Sequence, residues 1–157
     1  PWIVLVDLNR QAKCAPAFRT VWMPAPSRFM CFRVAVRAIE AWLLADRDSI
    51  SRFLGVPVSK VPHAPDSLDA PKRTLVNLAR QSRNRDVRED MVPRAGSGRS
   101  EGPAYSSRLI EFVTDAWRPE AAMRYSDSLR RCRNAIGRLM AQWSTATQEV
   151  EDDTKTW

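Results

Sequence analysis

The hydrophobic positions change period once, within Met30–Asp46. Phe32, Val34 and Val36 alternate with Cys31, Arg33, Ala35 and Arg37, which is the period of a strand. From there Ile39, Trp42 and Leu43 recur at helical spacing. The pattern predicts a strand running into a helix, with Arg37 and Glu40 as charged groups inside an apolar run. Upstream, Trp2–Val6 is a continuous apolar run, as expected of a strand covered on both faces. A polar turn follows Asp7, a short helix can begin near Cys14 with Pro16 in its first turn, and Pro24 to Ser27 breaks the chain. Strand, crossover and strand of this length predict a parallel βαβ-like pairing.

Further on, Asp48 or Ser49 can cap a helix carrying Ile50, Phe53 and Leu54 and ending at Gly55. Val56 to Ala70 holds Pro57, Pro62 and Pro65 and reads as irregular, and Pro71 can open a helix with Leu75, Leu78 and Ala79 inward. Residues 80–104 read as an arginine-rich loop region. Two amphipathic helices follow. One carries Leu109, Phe112, Val113, Ala116 and Trp117, capped by Ser106 or Ser107. The other starts near Ser126 or Asp127 and carries Leu129, Cys132, Ile136, Leu139, Met140 and Trp143. Residues 144–157 are polar and acidic and read as a flexible tail after a single α/β domain spanning 1–143. The expected fold is a small, mainly parallel sheet flanked by helices, with additional C-terminal helices.

Composition narrows the function classes. With 44% hydrophobic and 27% charged residues, the chain of 157 residues has the make-up of one globular domain. No apolar run approaches the roughly 20 residues that span a bilayer, so no membrane partner is expected. Cys14, Cys31 and Cys132 are odd in number and widely spaced, and His63 is the sole histidine. That excludes a zinc site of four close ligands and fits a reducing, cytoplasmic setting. The formal charge is +7, carried by 21 arginines and only 4 lysines. Guanidinium groups bind phosphate and carboxylate bidentately, so the bias suits a polyanionic partner; a genome rich in G and C would produce it equally well. Between Lys72 and Arg99 lie 8 basic and 3 acidic residues. Arg80, Arg83, Arg85, Arg88, Arg94 and Arg99 are therefore candidates for a nucleic-acid backbone, against the alternative of a solvated, ion-paired surface.

Asp7 and Glu40 each follow an apolar strand. If the strands are parallel, both carboxylates lie at the same end of the sheet, where ligands of open α/β sheets bind. Two such carboxylates are a minimal Mg²⁺ site when substrate phosphate supplies further oxygens. The structural alternative pairs Glu40 with Arg37 at i,i+3 and makes Asp7 a turn residue. Lys72, at a helix start, could stabilise charge on a phosphoryl group or be merely solvated. Gly96-Ser-Gly98 lacks the Gly-Lys-Ser/Thr of a phosphate-binding Walker loop and reads as a flexible loop.

Val4-Leu-Val-Asp7-Leu-Asn9, Val36-Arg-Ala-Ile-Glu40-Ala-Trp42-Leu-Leu-Ala-Asp46 and Asp69-Ala-Pro-Lys72 together resemble a family of uncharacterised bacterial proteins with a Toprim-like fold. The resemblance extends to Tyr105-x-x-Arg-Leu-Ile-Glu-Phe112 and Ser128-Leu-Arg-Arg-Cys132, and so covers nearly the whole chain. It implies a nuclease, or a nuclease-derived protein, using Mg²⁺ or Mn²⁺ and acting on nucleic acid, with relatives in bacterial defence against phage. Asp7 and Glu40 would hold the metal with weak help from Asn9. Lys72 would join them in catalysis, and Arg37 would contact phosphate. A partner protein, an ATPase among the candidates, is the other expected association. The chain departs from the family pattern at Asn9, where an aspartate is usual, and at Ala38, often a glutamate. The glutamate-bearing first strand would precede Pro1, and the chain reads as a fragment lacking it. Either that segment completes the site or the copy is degenerate. The competing reading is a non-catalytic interaction module that binds through its arginine surface.

Overall fold

A computed structural model describes residues 1–8, 14–25 and 27–154, with side chains as far as 148. Strand β1 (Trp2–Asp7) and strand β2 (Met30–Ala35) pair in parallel, from Trp2 opposite Met30 to Asp7 opposite Ala35. Helix α1 (Ala15–Trp22) makes the crossover, with Pro in its first turn as the sequence suggested. Helix α2 (Ile39–Ala45) follows β2 after a three-residue junction, then α3 (Arg47–Leu54). Two single 3₁₀ turns (Val58–Lys60 and Pro65–Ser67) occupy the proline-rich stretch. Helices α4 (Pro71–Arg80), α5 (Arg85–Met91), α6 (Tyr105–Asp115), α7 (Pro119–Ala122) and α8 (Asp127–Thr154) complete an α/β chain dominated by helix.

The alternation in β2 decides which helix covers which face. Phe32 and Val34 join Val4, Val6, Leu8 and Phe18 under α1, while Cys31 packs on Ala135 and Leu139 of α8. Helix α2 lies at the centre, against β2, α3, α4, α7 and the second 3₁₀ turn, and all its residues except Ile39 are buried. Its Leu43 and Leu44 enter the main core with Ile50, Leu54, Leu75, Met91 and Phe112. Its Trp42 turns toward α7 and α8, where the indole Nε1 donates to Ser128 Oγ at 2.7 Å.

Five expectations change. Strand β1 is not covered on both faces: Ile3 is 51% and Leu5 39% exposed on the side where α8 packs against β2, and Trp2, at the start of the strand, is 71% exposed. The 80–104 region is not all loop, since Asn84 accepts from the Asp86 N–H and caps α5. Helix α6 begins at Tyr105, earlier than the serine caps predicted. Helix α8 continues through Thr154 where a polar tail was expected from residue 144. Helix α3 is capped by Asp46, whose side chain accepts from the Ser49 N–H, and not by Asp48 or Ser49; its end is as expected, with Gly55 at φ +65°, and Pro71 opens α4. None of the described helices is long and apolar enough to cross a membrane.

Candidate functional site

Parallel pairing brings Asp7 to the carboxyl edge of the sheet, beside Ala35 and the junction that follows it. Helix α2 starts after Ala38, which has no side-chain oxygen to satisfy the first free N–H groups. Asp7 supplies one from 32 residues away: its Oδ1 accepts the Ile39 N–H at 2.9 Å. The carboxylate therefore sits on the positive end of α2, bonded to the N–H of the residue just before Glu40. Arg37, in the junction, adopts φ +68°, a left-handed conformation that costs a side-chain-bearing residue about 1–2 kcal/mol. Its guanidinium lies 3.6 Å from Asp69 Oδ1, so the predicted i,i+3 pairing with Glu40 is not formed.

Glu40 is 5% exposed and faces α4 and α6 instead. Its Oε1 accepts from the Tyr105 hydroxyl at 3.2 Å and lies 3.9 Å from Lys72 Nζ. Lys72 is also 3.5 Å from Glu101 Oε2 and 5.4 Å from the Tyr105 ring centroid. The ammonium is thus bracketed by two carboxylates and an aromatic face. Burial, and then the carboxylate of Glu40, push the Tyr105 phenol well above its ordinary value, so it stays a hydrogen-bond donor to Glu40. The Glu101 carboxyl is held below the usual range by the Ser100 hydroxyl first and Lys72 second.

Glu101 belongs to a loop that cannot shift freely. A Cβ on Gly102 would fall 2.3 Å from the Asp90 carbonyl oxygen and 2.6 Å from the Val92 nitrogen, so only glycine allows this approach to the end of α5. The Gly102 N–H donates to the Met91 carbonyl at 3.0 Å. Beyond it, residues from Gly98 to Ser106 line a cavity of about 460 Å³ beside the Lys72 cluster. Tyr105 and Glu101 had no role assigned from sequence; each looks like an ordinary helix-start or loop residue until the fold places it against Glu40 or Lys72.

The other predicted residues divide. Asn9 lies outside the described residues. Arg85 pairs with Glu89 at 2.6 Å, Arg88 donates to the Ser82 carbonyl, and Arg80 donates to Asn77 within α4. Arg83, Arg94 and Arg99 are exposed and make no ion pair among the described residues. Half of the proposed phosphate-facing row is therefore already engaged within the protein. Among the described residues, no three His, Cys, Asp or Glu side chains converge as a metal-binding group. Against protein-family models, curated proteins and solved structures, the chain has no match.

Proposed function

We propose that the chain is a Toprim-like, metal-dependent phosphodiesterase or nuclease acting on nucleic acid. The observation that carries this reading is the meeting of Asp7 and the start of α2, which brings two carboxylate-bearing residues to the carboxyl edge of one parallel strand pair. The donor set suits a hard divalent ion. Asp7 Oδ2 and Glu40 Oε2 accept no hydrogen bond among the described residues, and Mg²⁺ commonly takes one or two protein carboxylates together with phosphate oxygens and water. Asp7 and Glu40 would hold Mg²⁺ or Mn²⁺, with Asn9 as a neutral third donor. When bound, such an ion supplies charge for the phosphoryl oxygens and acidifies water.

The chain's own groups account for the rest. Tyr105 fixes the Glu40 carboxylate by donating to one oxygen and leaves the other available. Lys72, 45% exposed at its side chain, presents an ammonium to an incoming phosphate while Glu101 restrains it. Arg37 holds only a long contact to a 90% exposed Asp69, so phosphate can displace that partner at little cost. In the phage-defence setting that the resemblance implies, the substrate would be invading DNA or RNA.

A second reading has its own support. Glu40 already has Lys72 and Tyr105 as partners, as a purely structural buried carboxylate would. On that reading the protein is a binding module without catalysis. Incubation with end-labelled DNA and RNA in Mg²⁺ or Mn²⁺ separates the two. Cutting that chelator stops and that Glu40→Gln reduces to background supports the enzyme. Intact substrate at every metal concentration, with wild-type binding, supports the module.

A further inference from the structure

Arginines without an ion pair also collect well away from the 80–99 segment, among the described residues. Three adjoining cavities run beside α8: two follow the edge of β2 that faces away from β1, with α1 on the other side, and the outermost lies between α8 and the turn before β2. The outermost, of about 390 Å³, shares Arg28 and Gln142 with a middle cavity of about 140 Å³. The middle one shares Arg19 and Arg33 with a third of about 460 Å³, which Arg131 also lines. Arg138 completes the set from α8. Five arginines from α1, β2, α8 and the turn before β2 thus face one continuous groove.

Four of them, Arg19, Arg28, Arg33 and Arg138, form no ion pair among the described residues. The acidic side chains in the groove are confined to its third cavity, and both have partners. Asp127 is paired with Arg130 and Arg131, and Asp66 accepts from Ser126 and Ser128. Arg33 carries a second signal. Its Nε is buried without an acceptor, an arrangement that costs free energy until an anion or another acceptor reaches it. The same side chain lines both inner cavities.

We propose that this groove binds a single nucleic-acid strand through its phosphates. An extended groove with charge at successive points calls for a ligand that repeats its anionic group, and a phosphodiester backbone does so once per nucleotide. The Cys31, Phe32, Val34 and Leu139 side chains give it an apolar floor. Its third cavity reaches Val36, one residue before Arg37, so a bound strand is led toward the Asp7 and Glu40 edge. Binding requires neither a metal nor cutting, and so stands apart from the catalytic reading.

The test is fluorescence anisotropy of the full chain with labelled 20-mer single-stranded DNA and RNA, in chelator and at low salt. The double variant Arg19→Gln/Arg138→Gln, both exposed positions, is expected to weaken binding at least tenfold. It should also reduce the slope of log K against log salt by about 1.4, the loss of two single-strand phosphate contacts. The control pair Arg124→Gln/Arg133→Gln, exposed arginines that line none of the three cavities, should stay within twofold. Hydrogen exchange on the unaltered protein gives the same answer without substitutions: residues 28–33 and 131–139 should gain protection with the oligonucleotide. The proposal is overturned if neither oligonucleotide binds, if the groove pair binds as well as the unaltered chain, or if no protection appears there. It is also overturned if polyglutamate, matched in charge, displaces the strand more effectively than unlabelled strand does, which would make the partner an acidic protein. A strand that binds in the groove yet is never cut would defeat the catalytic reading and leave this one intact.

Discussion

At the scale of single residues, Asp7 has two separable roles. Its Oδ1 caps α2, and asparagine can do that equally well. Asp7→Ala is expected to lower stability by about 1 kcal/mol in denaturant melts, whereas Asp7→Asn should melt like the parent and lose metal-dependent cutting. If Asp7→Asn keeps full activity, the carboxylate is only a cap. Arg37 offers the complementary experiment. Because its backbone is left-handed, Arg37→Gly should stabilise the fold by about 1 kcal/mol while weakening the hold on a phosphate-bearing substrate. A parent chain more stable than this variant would show that the guanidinium's contact with Asp69 outweighs the strain.

At the scale of elements, the buried carboxylate of Asp46 ties α3 to α7. It is 1% exposed and accepts from the Ser49 N–H, the Arg118 N–H and the Arg118 guanidinium, the last at 2.6 Å. Burial alone would raise its pKa, but the hydrogen bonds from Arg118 and Ser49 hold it below the ordinary value of 3.8. A folded-state pKa lowered in this way contributes stability above the unfolded value, and that contribution disappears as pH falls through the folded one. The parent should therefore lose stability on acidification below about pH 4 more steeply than Asp46→Asn does. Arg118→Ala, which leaves the carboxylate buried with only backbone donors, should cost about 2 kcal/mol at neutral pH by chemical denaturation. Gly102→Ala should also destabilise, since its Cβ collides with backbone at the end of α5, and should disturb Lys72 through Glu101.

At the scale of the molecule, the chain's periodicity made the parallel pair, the strand-to-helix junction and the proline and glycine boundaries readable in advance. The junction and the boundaries depend on neighbours in sequence, and the pairing was read from the length of the crossover. The site was legible only in outline, because its contacts are long-range. Glu40 meets Tyr105 from 65 residues away, Ile39 is capped by Asp7 from 32, and the groove arginines run from Arg19 to Arg138. Charge counted along the sequence pointed to residues 72–99, where Glu89 and the Ser82 carbonyl already engage Arg85 and Arg88. The exposed β1 was misread for a related reason: an apolar run says that cover is wanted without saying whether another element gives it.

The most direct test of the central claim is single-turnover cutting of an end-labelled strand by the full chain, with and without Mg²⁺ or Mn²⁺, beside Glu40→Gln checked for an unchanged melt. The account predicts metal-dependent product from the parent and background product from the variant. Equal product from both, or none from the parent while it holds the strand, would contradict it.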